Sequence, residues 1–544
     1  MIGVANLMIA PIVLPLLAGA GMLLLSGERQ RSIMAAVNVA VTFALVCIAI
    51  ALLGMSDASQ TGISQVYRLG DWPAPFGIVL VLDRLSALML LLTSILALAA
   101  VVFSLARWHR AGAHFHPLFQ FLLMGLNGAF LTGDLFNLFV FFELLLAASY
   151  GLLLHGSGLA RVKAGLQYIV VNLVASLLFL IGVSLIYGVT GTLNMADLAA
   201  RIPTIAAENR GLLEAGAGIL AMAFLLKAGM WPLCFWLPTT YAAACPPVAS
   251  IFAIMTKVGV YIVLRLSLLL FGDGAGASAG FGSSWLLLGG LATIIFGAIG
   301  TLASQDTARL AAFSVLVSSG TVLAATGMEQ ADVTGGALFY LVSSTLGISA
   351  FFLLVELIER GREPGADMIA VTREAYGEGD DDDETEEEKD EVGMAIVATM
   401  GLLGVAFIGC ALVVAGLPPL SGFIAKFALL TAALRPSEVH GSIPGGGWAL
   451  LVVLILSGFT TLIAMTRAGI RSFWAAPDRT VPRVRVIEMA PVMFLLLACA
   501  AQTVQAGPVM RFMQATAQSL HASGGYVRGV LETGEQGNRK AGGI

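Results

Sequence analysis

Charge is the scarcest thing in this sequence. Of 544 residues only 12% are Asp, Glu, Lys or Arg, while 58% are hydrophobic. A soluble protein of this length needs about a quarter of its residues charged to cover its surface, so water cannot be the solvent for most of this one. Basic residues are too sparse and scattered for a nucleic-acid footprint. The five cysteines, Cys47, Cys234, Cys245, Cys410 and Cys499, form no C-x-x-C pair. That argues against an iron–sulfur or zinc centre, and they read as small core residues. The six histidines (109, 114, 116, 155, 440, 521) fall near the ends of apolar runs or in loops. They read as solvated at an interface, with His109, His114 and His116 a weaker metal candidate. The glycines at 272–280 lack the strand–turn–helix setting of a nucleotide site. No cofactor and no assigned metal are expected.

What is abundant is long apolar runs, and the mean hydropathy is +0.90. A helix needs about 20 apolar residues to cross the hydrocarbon core. About fourteen such stretches are present: 4–25, 32–54, 85–106, 117–133, 135–155, 165–190, 213–231, 245–270, 284–303, 308–327, 333–357, 393–415, 447–470 and 486–506, with a shorter apolar piece at 418–434. The first run has no basic flank and is too long for a signal sequence, so it reads as a span. Segment 56–80 reads as an outside loop with a short hairpin. The tail after 507 is polar and glycine-rich and reads as loosely ordered. Basic loop residues divide about 16 against 5 between the two sides, which predicts both termini outside. The net charge of -5 says little about partners. About a third of the acidic residues sit in one run near 374–391, read as a solvated insertion in a cytoplasmic loop.

Few charges fall near mid-membrane. They are Glu143, Lys227, Lys257 and Lys426, with Arg265 one to two turns beyond Lys257. Each costs at least about 2.5–3.5 kcal/mol at a helix centre. A buried salt bridge that merely joins helices is one reading, but an apolar pair would hold the helices as well. The other reading is a relay of titratable groups, with Glu143 approaching Lys227 and switching its charge. Two of the lysines stand beside helix breakers. Lys227 precedes Trp231, Pro232 and Pro238, and Lys426 follows Pro418, Pro419 and Gly422. Such breaks free backbone carbonyls that can hold water or a cation, and broken helices mark transport pathways.

The runs GDLFNLFVFFELLLAASYGLLL, LLKAGMWPLCFWLPTTYAAACPPVASIFAIMTKVGVYIVLR and LPPLSGFIAKF resemble the antiporter-like membrane subunits shared by Mrp-type cation/proton antiporters and respiratory complex I, the D-type Mrp (Mnh/Pha) subunits above all. The similarity runs from the first spans to about residue 510. It implies an all-α integral membrane fold of fourteen spanning helices, with two inverted five-helix repeats and with helices 7 and 12 discontinuous. The corresponding divisions are 1–116, 117–270, 284–470 with an acidic cytoplasmic loop at 359–392, and 486–544. The family's key charges fall on Glu143, Lys227, Lys257 and Lys426, with Trp231, Pro232, Pro238, Tyr241, Pro418, Pro419 and Gly422 as pathway support. Two departures stand out. Tyr241 follows the W-L-P motif where complex I relatives often carry His, as in D-type subunits. Ser343 and Ile348 replace a His and a Lys common in helix 11. Ser314, Ser318, Ser319 and Thr321 are then polar candidates for a central route.

The resemblance implies a subunit of a multisubunit Na⁺ (or K⁺)/H⁺ antiporter in a bacterial inner membrane. It would supply a proton pathway coupled to cation efflux and be no enzyme. Its partners would be other membrane subunits, protons, Na⁺ or K⁺ and the lipid bilayer. Two alternatives stand beside it: a proton-pumping subunit of complex I or a membrane hydrogenase, and a non-conducting assembly scaffold.

Overall fold

The computed structural model describes residues 4–25, 30–58, 64–112, 114–360, 386–436, 443–473 and 484–531. Among the described residues the regular structure is helical apart from one hairpin. The expected spans appear as α1 (Val4–Leu23), α2 (Arg31–Ala58), α3 (Arg84–Ser104), α4 (Phe115–Leu131), α5 (Leu135–Leu153), α6 (Leu159–Thr190) and α8 (Ala207–Ala228). They continue as α10 (Pro246–Phe271), α11 (Ser283–Ala303), α12 (Thr307–Thr326), α13 (Ala331–Glu359), α14 (Glu386–Ala415), α16 (Gly445–Phe473) and α17 (Val486–Val504). Short helices α7 (Met195–Arg201), α9 (Leu237–Ala243), α15 (Ser421–Ala433) and α18 (Ala506–His521) complete the set. Among the described residues thirteen helices are long and apolar enough to cross a membrane, and α4 and α15 are shorter apolar helices.

Helices α10 and α13 are enclosed almost entirely by the others, whereas α2, α14 and α16 leave most of their surface outward. Outward side chains such as Phe43, Val405 and Leu456 are apolar, as a lipid-facing surface requires. Between the central helices small residues permit close approach. A side chain at Gly259 of α10 would meet Ala228 N of α8 at 2.7 Å and Phe224 O at 3.0 Å. Backbone atoms cannot yield there. Gly259→Val is therefore expected to cost about 1–3 kcal/mol by overpacking, read as a lowered melting temperature of the detergent-purified protein. An unchanged melt would show that α8 and α10 are free to separate.

The hairpin expected in 56–80 is present as β1 (Gln65–Arg68) and β2 (Val79–Leu82), antiparallel with Gln65 opposite Leu82. The first part of the acidic run, up to residue 385, lies outside the described residues, and α14 begins at Glu386. Three expectations are corrected. The tail is ordered to residue 531: α18 buries Met513, Thr516, Ala517 and Leu520, a stripe at helical spacing, against the bundle. Its His521 meets Thr334 Oγ1 at 3.1 Å. His109, His116 and His155 are not solvated but buried. Cys47 faces outward, while the other four cysteines are buried and free.

Candidate functional site

Spans 7 and 12 are both broken, and in the same way. After α8 ends at Ala228, Gly229 takes a left-handed conformation (φ 71°), and after α14 ends at Ala415, Gly416 does the same (φ 76°). Each glycine is followed three residues on by a proline in a cis peptide, Trp231-Pro232 and Pro418-Pro419. The two breaks read A-G-x-x-P-L, at 228–233 and 415–420. This repeat was visible in the sequence but is easily missed between two runs of apolar letters. Glycine serves because only it takes that conformation without strain.

Each break leaves carbonyls without helical partners. At the first, Trp236 Nε1 donates to Leu226 O (3.3 Å), and Trp231 N donates to Thr293 Oγ1 of α11 (2.8 Å). Pro238 starts α9, and Tyr241 OH meets Thr256 Oγ1 of α10 at 2.6 Å. At the second, Lys426 reaches back from α15, and its Nζ donates to Ala415 O at 2.7 Å. Gly422 lets α15 fold tightly onto α14, since a side chain there would meet Val413 O.

The three lysines are 6%, 1% and 8% exposed for Lys227, Lys257 and Lys426 respectively, each inside the bundle. Glu143 is only half-buried and lies at the rim of the chain. It approaches Lys227 closely enough for the two charges to interact, as expected, but forms no salt bridge with it. The two meet instead through adjacent turns of α6: Glu143 accepts a hydrogen bond from Ser176 Oγ, and Lys227 Nζ lies 3.4 Å from Asn172 Oδ1. Asn172 and Ser176 are four residues apart and so share a helix face. The Phe142 ring lies under Lys227, 5.0 Å from its Nζ, a cation–π contact that offsets part of the lost hydration. Sequence reading passed over Asn172 and Ser176. The signal was there, a carboxamide and a hydroxyl at helical spacing within an apolar run.

From Lys257 toward Lys426 the buried polar atoms are hydroxyls. Lys257 Nζ donates to Ser319 Oγ (3.0 Å). Ser318 Oγ meets Ser344 Oγ (2.7 Å), and Ser343 Oγ meets Ser421 Oγ (2.7 Å) at the start of α15. These contacts cross from α10 to α12, α13 and α15. Ser318, Ser319 and Ser343 are thus brought into the central region. Ser314 and Thr321 instead bond their own helix, to Leu310 O and Val317 O, the ordinary habit of a hydroxyl in a span. Among the described residues no group of three or more His, Cys, Asp and Glu is arranged to hold a metal. The arrangement is three buried lysines, each bonded to one neutral acceptor, with separate pairs of hydroxyls that both give and take protons packed between α12, α13 and α15.

Comparison with known proteins places this architecture. Residues 132–452 match the family described as NADH:quinone oxidoreductase/Mrp antiporter, transmembrane region. A protein of Rhizobium meliloti, named as a probable D-type subunit of a K⁺/H⁺ antiporter, is 59% identical over 98% of this chain and 99% of its own. A protein of Alkalihalophilus pseudofirmus, named as the D-type subunit of a Na⁺/H⁺ antiporter, is 32% identical over 97% of this chain and 99% of its own. Among solved structures, a chain of the Mrp complex from Dietzia sp. DQ12-45-1b superposes with a TM-score of 0.81 at 26% identity, covering 97% of this chain and 99% of that one. With a matching region of that extent and relatives that share nearly its whole length, this chain belongs to the NADH:quinone oxidoreductase/Mrp antiporter family of multi-pass membrane proteins.

Proposed function

We propose that this chain is the D-type subunit of a multisubunit cation/proton antiporter, exchanging K⁺ or Na⁺ for H⁺ across a bacterial inner membrane, with both termini outside. The observation that carries the reading is the set of three buried lysines, two of them at matching helix breaks, with buried serine pairs lying between the helices that carry Lys257 and Lys426. A fixed charge in a lipid-embedded bundle is costly, and three of them without a carboxylate in contact are poor glue. As groups that take up and release a proton they have a reason to be there. Glu143 and Ser176 would bias Lys227, Lys257 would pass the proton laterally by way of Ser319, and Lys426 would exchange it with the far side.

The two A-G-x-x-P-L breaks support reading 117–270 and 284–470 as two copies of one five-helix unit. The partly exposed Glu143 supports a neighbouring membrane subunit on that flank. The driving force would be the proton gradient, whose electrical part is worth about 2.3 kcal/mol per charge per 100 mV. Relatives named for both K⁺ and Na⁺ leave the cation to experiment.

The test uses inverted vesicles from cells lacking native antiporters, containing the full complex and a pH-sensitive dye. After energisation, KCl or NaCl is added. A cation-induced collapse of the proton gradient is expected with the wild-type chain and not with Lys227→Ala. Antiport at the wild-type rate in that variant would sink the proposal. The family description also covers NADH:quinone oxidoreductases. Copurification of the complex with a flavin and iron–sulfur arm, and no response to either salt, would make the same path a redox-driven pump.

A further inference from the structure

Away from the lysines, the bundle of α1, α2 and α4 contains a second line of buried polar groups. His116, Gln120 and Asn127 lie on one face of α4, at spacings of four and seven. Asn38 Nδ2 of α2 meets His116 Nδ1 at 2.8 Å. Gln120 Nε2 donates to Asn38 Oδ1 (2.6 Å) and lies 3.2 Å from Thr42 Oγ1. Asn127 Nδ2 donates to Pro11 O of α1 (2.8 Å). That carbonyl is free because Pro15, one turn on, has no N–H.

Each of these side chains keeps one polar atom without a protein partner: His116 Nε2, Gln120 Oε1 and Asn127 Oδ1. His109, whose ring centre is 5.7 Å from that of His116, keeps Nδ1. All four residues are more than nine-tenths buried. Asn127 cannot be turned over, because Pro11 O takes only a donor, so Oδ1 is the atom left. A buried group left this way costs about 1–3 kcal/mol; three of them line one flank of α4 and the fourth, His109, lies just before its start. The partner that suits imidazole and amide atoms in so narrow a space is water.

From His116 to Asn127 the helix rises about 16 Å, close to half of a hydrocarbon core of about 30 Å. One turn further, Phe130 O accepts from Tyr261 OH (2.7 Å). Tyr261 stands one turn from Lys257 on α10. The line therefore runs from one end of the bundle to the neighbourhood of the lysine row.

We propose that the α1–α2–α4 bundle holds a file of water along α4, open to the cytoplasmic side between His109 and His116, that carries protons to mid-membrane. The imidazoles take a proton on one nitrogen and release one from the other, and the amides order the water between. The word cytoplasmic rests on the orientation proposed above.

The test places Gln120→Cys or, as a dry control, Leu122→Cys in the full complex. Leu122 is equally buried but on the other side of α4. A small membrane-impermeant methanethiosulfonate is applied to inverted and to right-side-out vesicles, with the native chain as baseline. The file predicts that the thiol introduced at position 120 reacts in inverted vesicles several times faster than the one at position 122. It also predicts that an assembled Gln120→Leu complex loses more than half of the cation-induced collapse, with Gln120→Glu retaining it. Equal reactivity of the two introduced thiols from both sides overturns the file. Faster reaction at position 120 together with full antiport in Gln120→Leu overturns its role in carrying protons. Reaction only in right-side-out vesicles overturns the cytoplasmic opening and the orientation together. The labelling does not depend on transport, so an inert wild-type complex would count against the antiport reading alone.

Discussion

Lys426→Ala is expected to abolish cation-driven proton exchange while leaving the complex assembled. The ammonium is held by a single bond to Ala415 O at the end of α14. A hydrogen bond to a charged group is worth about 1.5–3 kcal/mol, so its loss from the transport cycle corresponds to roughly a ten- to hundredfold drop in rate. Arginine should not rescue it. Side chains at Gly416 and Gly458 would meet Lys426 at 2.6 Å and 3.3 Å, so this corner was cut to the width of a lysine. A planar guanidinium that cannot lose its proton also cannot take part in a relay. The check is the vesicle assay on both variants, with assembly followed on native gels. Exchange above half of the wild-type rate in Lys426→Ala would remove Lys426 from the path.

Arg265→Ala is expected to produce the largest loss of stability. Arg265 is buried, pairs with Asp83 at 2.8 Å, donates to Tyr261 OH at 2.9 Å, and lies against the rings of Tyr261 and Tyr526. Asp83 also caps α3 by accepting from Ser86 N at 2.8 Å. Removing the cation strands a buried carboxylate, at a cost of about 3–5 kcal/mol. It also unpins the tail, since Tyr526 loses the group it covers. A lowered melting temperature is expected, recovered in part by adding Asp83→Asn. No recovery would mean that the arginine acts by packing alone.

The pH dependence has a definite sign. Burial pushes the Asp83 carboxyl up, but the charge and hydrogen bond of Arg265, with the bonds from Ser86, bring it below the ordinary carboxylate range. A depressed value in the folded state gives stability that is fully present above about pH 4 and is lost as the pH falls through the folded value. The single variant should lose that acid-side dependence.

Much of this was legible in the letters. Apolar run length alone located the long helices of the bundle, because lipid imposes a length that water does not. Lys227, Lys257 and Lys426 stood out through the cost of charge in such runs. The approach of Glu143 to Lys227 was legible from their opposite charges, but one sequence cannot show that α6 supplies a carboxamide and a hydroxyl beside them. The tail was misread for a related reason. Glycine and polar residues signalled a loose end, yet a four-residue stripe and one tyrosine are enough to fasten it. The buried histidines carry a similar lesson. Nearness to the end of a run locates a residue along the membrane normal but not around the helix.

The serine contacts between α12, α13 and α15 have a consequence for timing. A hydroxyl has one hydrogen to give. When a proton passes along such a chain, every O–H in it is left pointing the opposite way. The chain cannot carry a second proton in the same direction until each hydroxyl has swung back. On the proposed reading Lys257 and Lys426 would hold their protons while this happens. On that reading the path would then work as a turnstile rather than an open pipe, admitting one proton and resetting before the next.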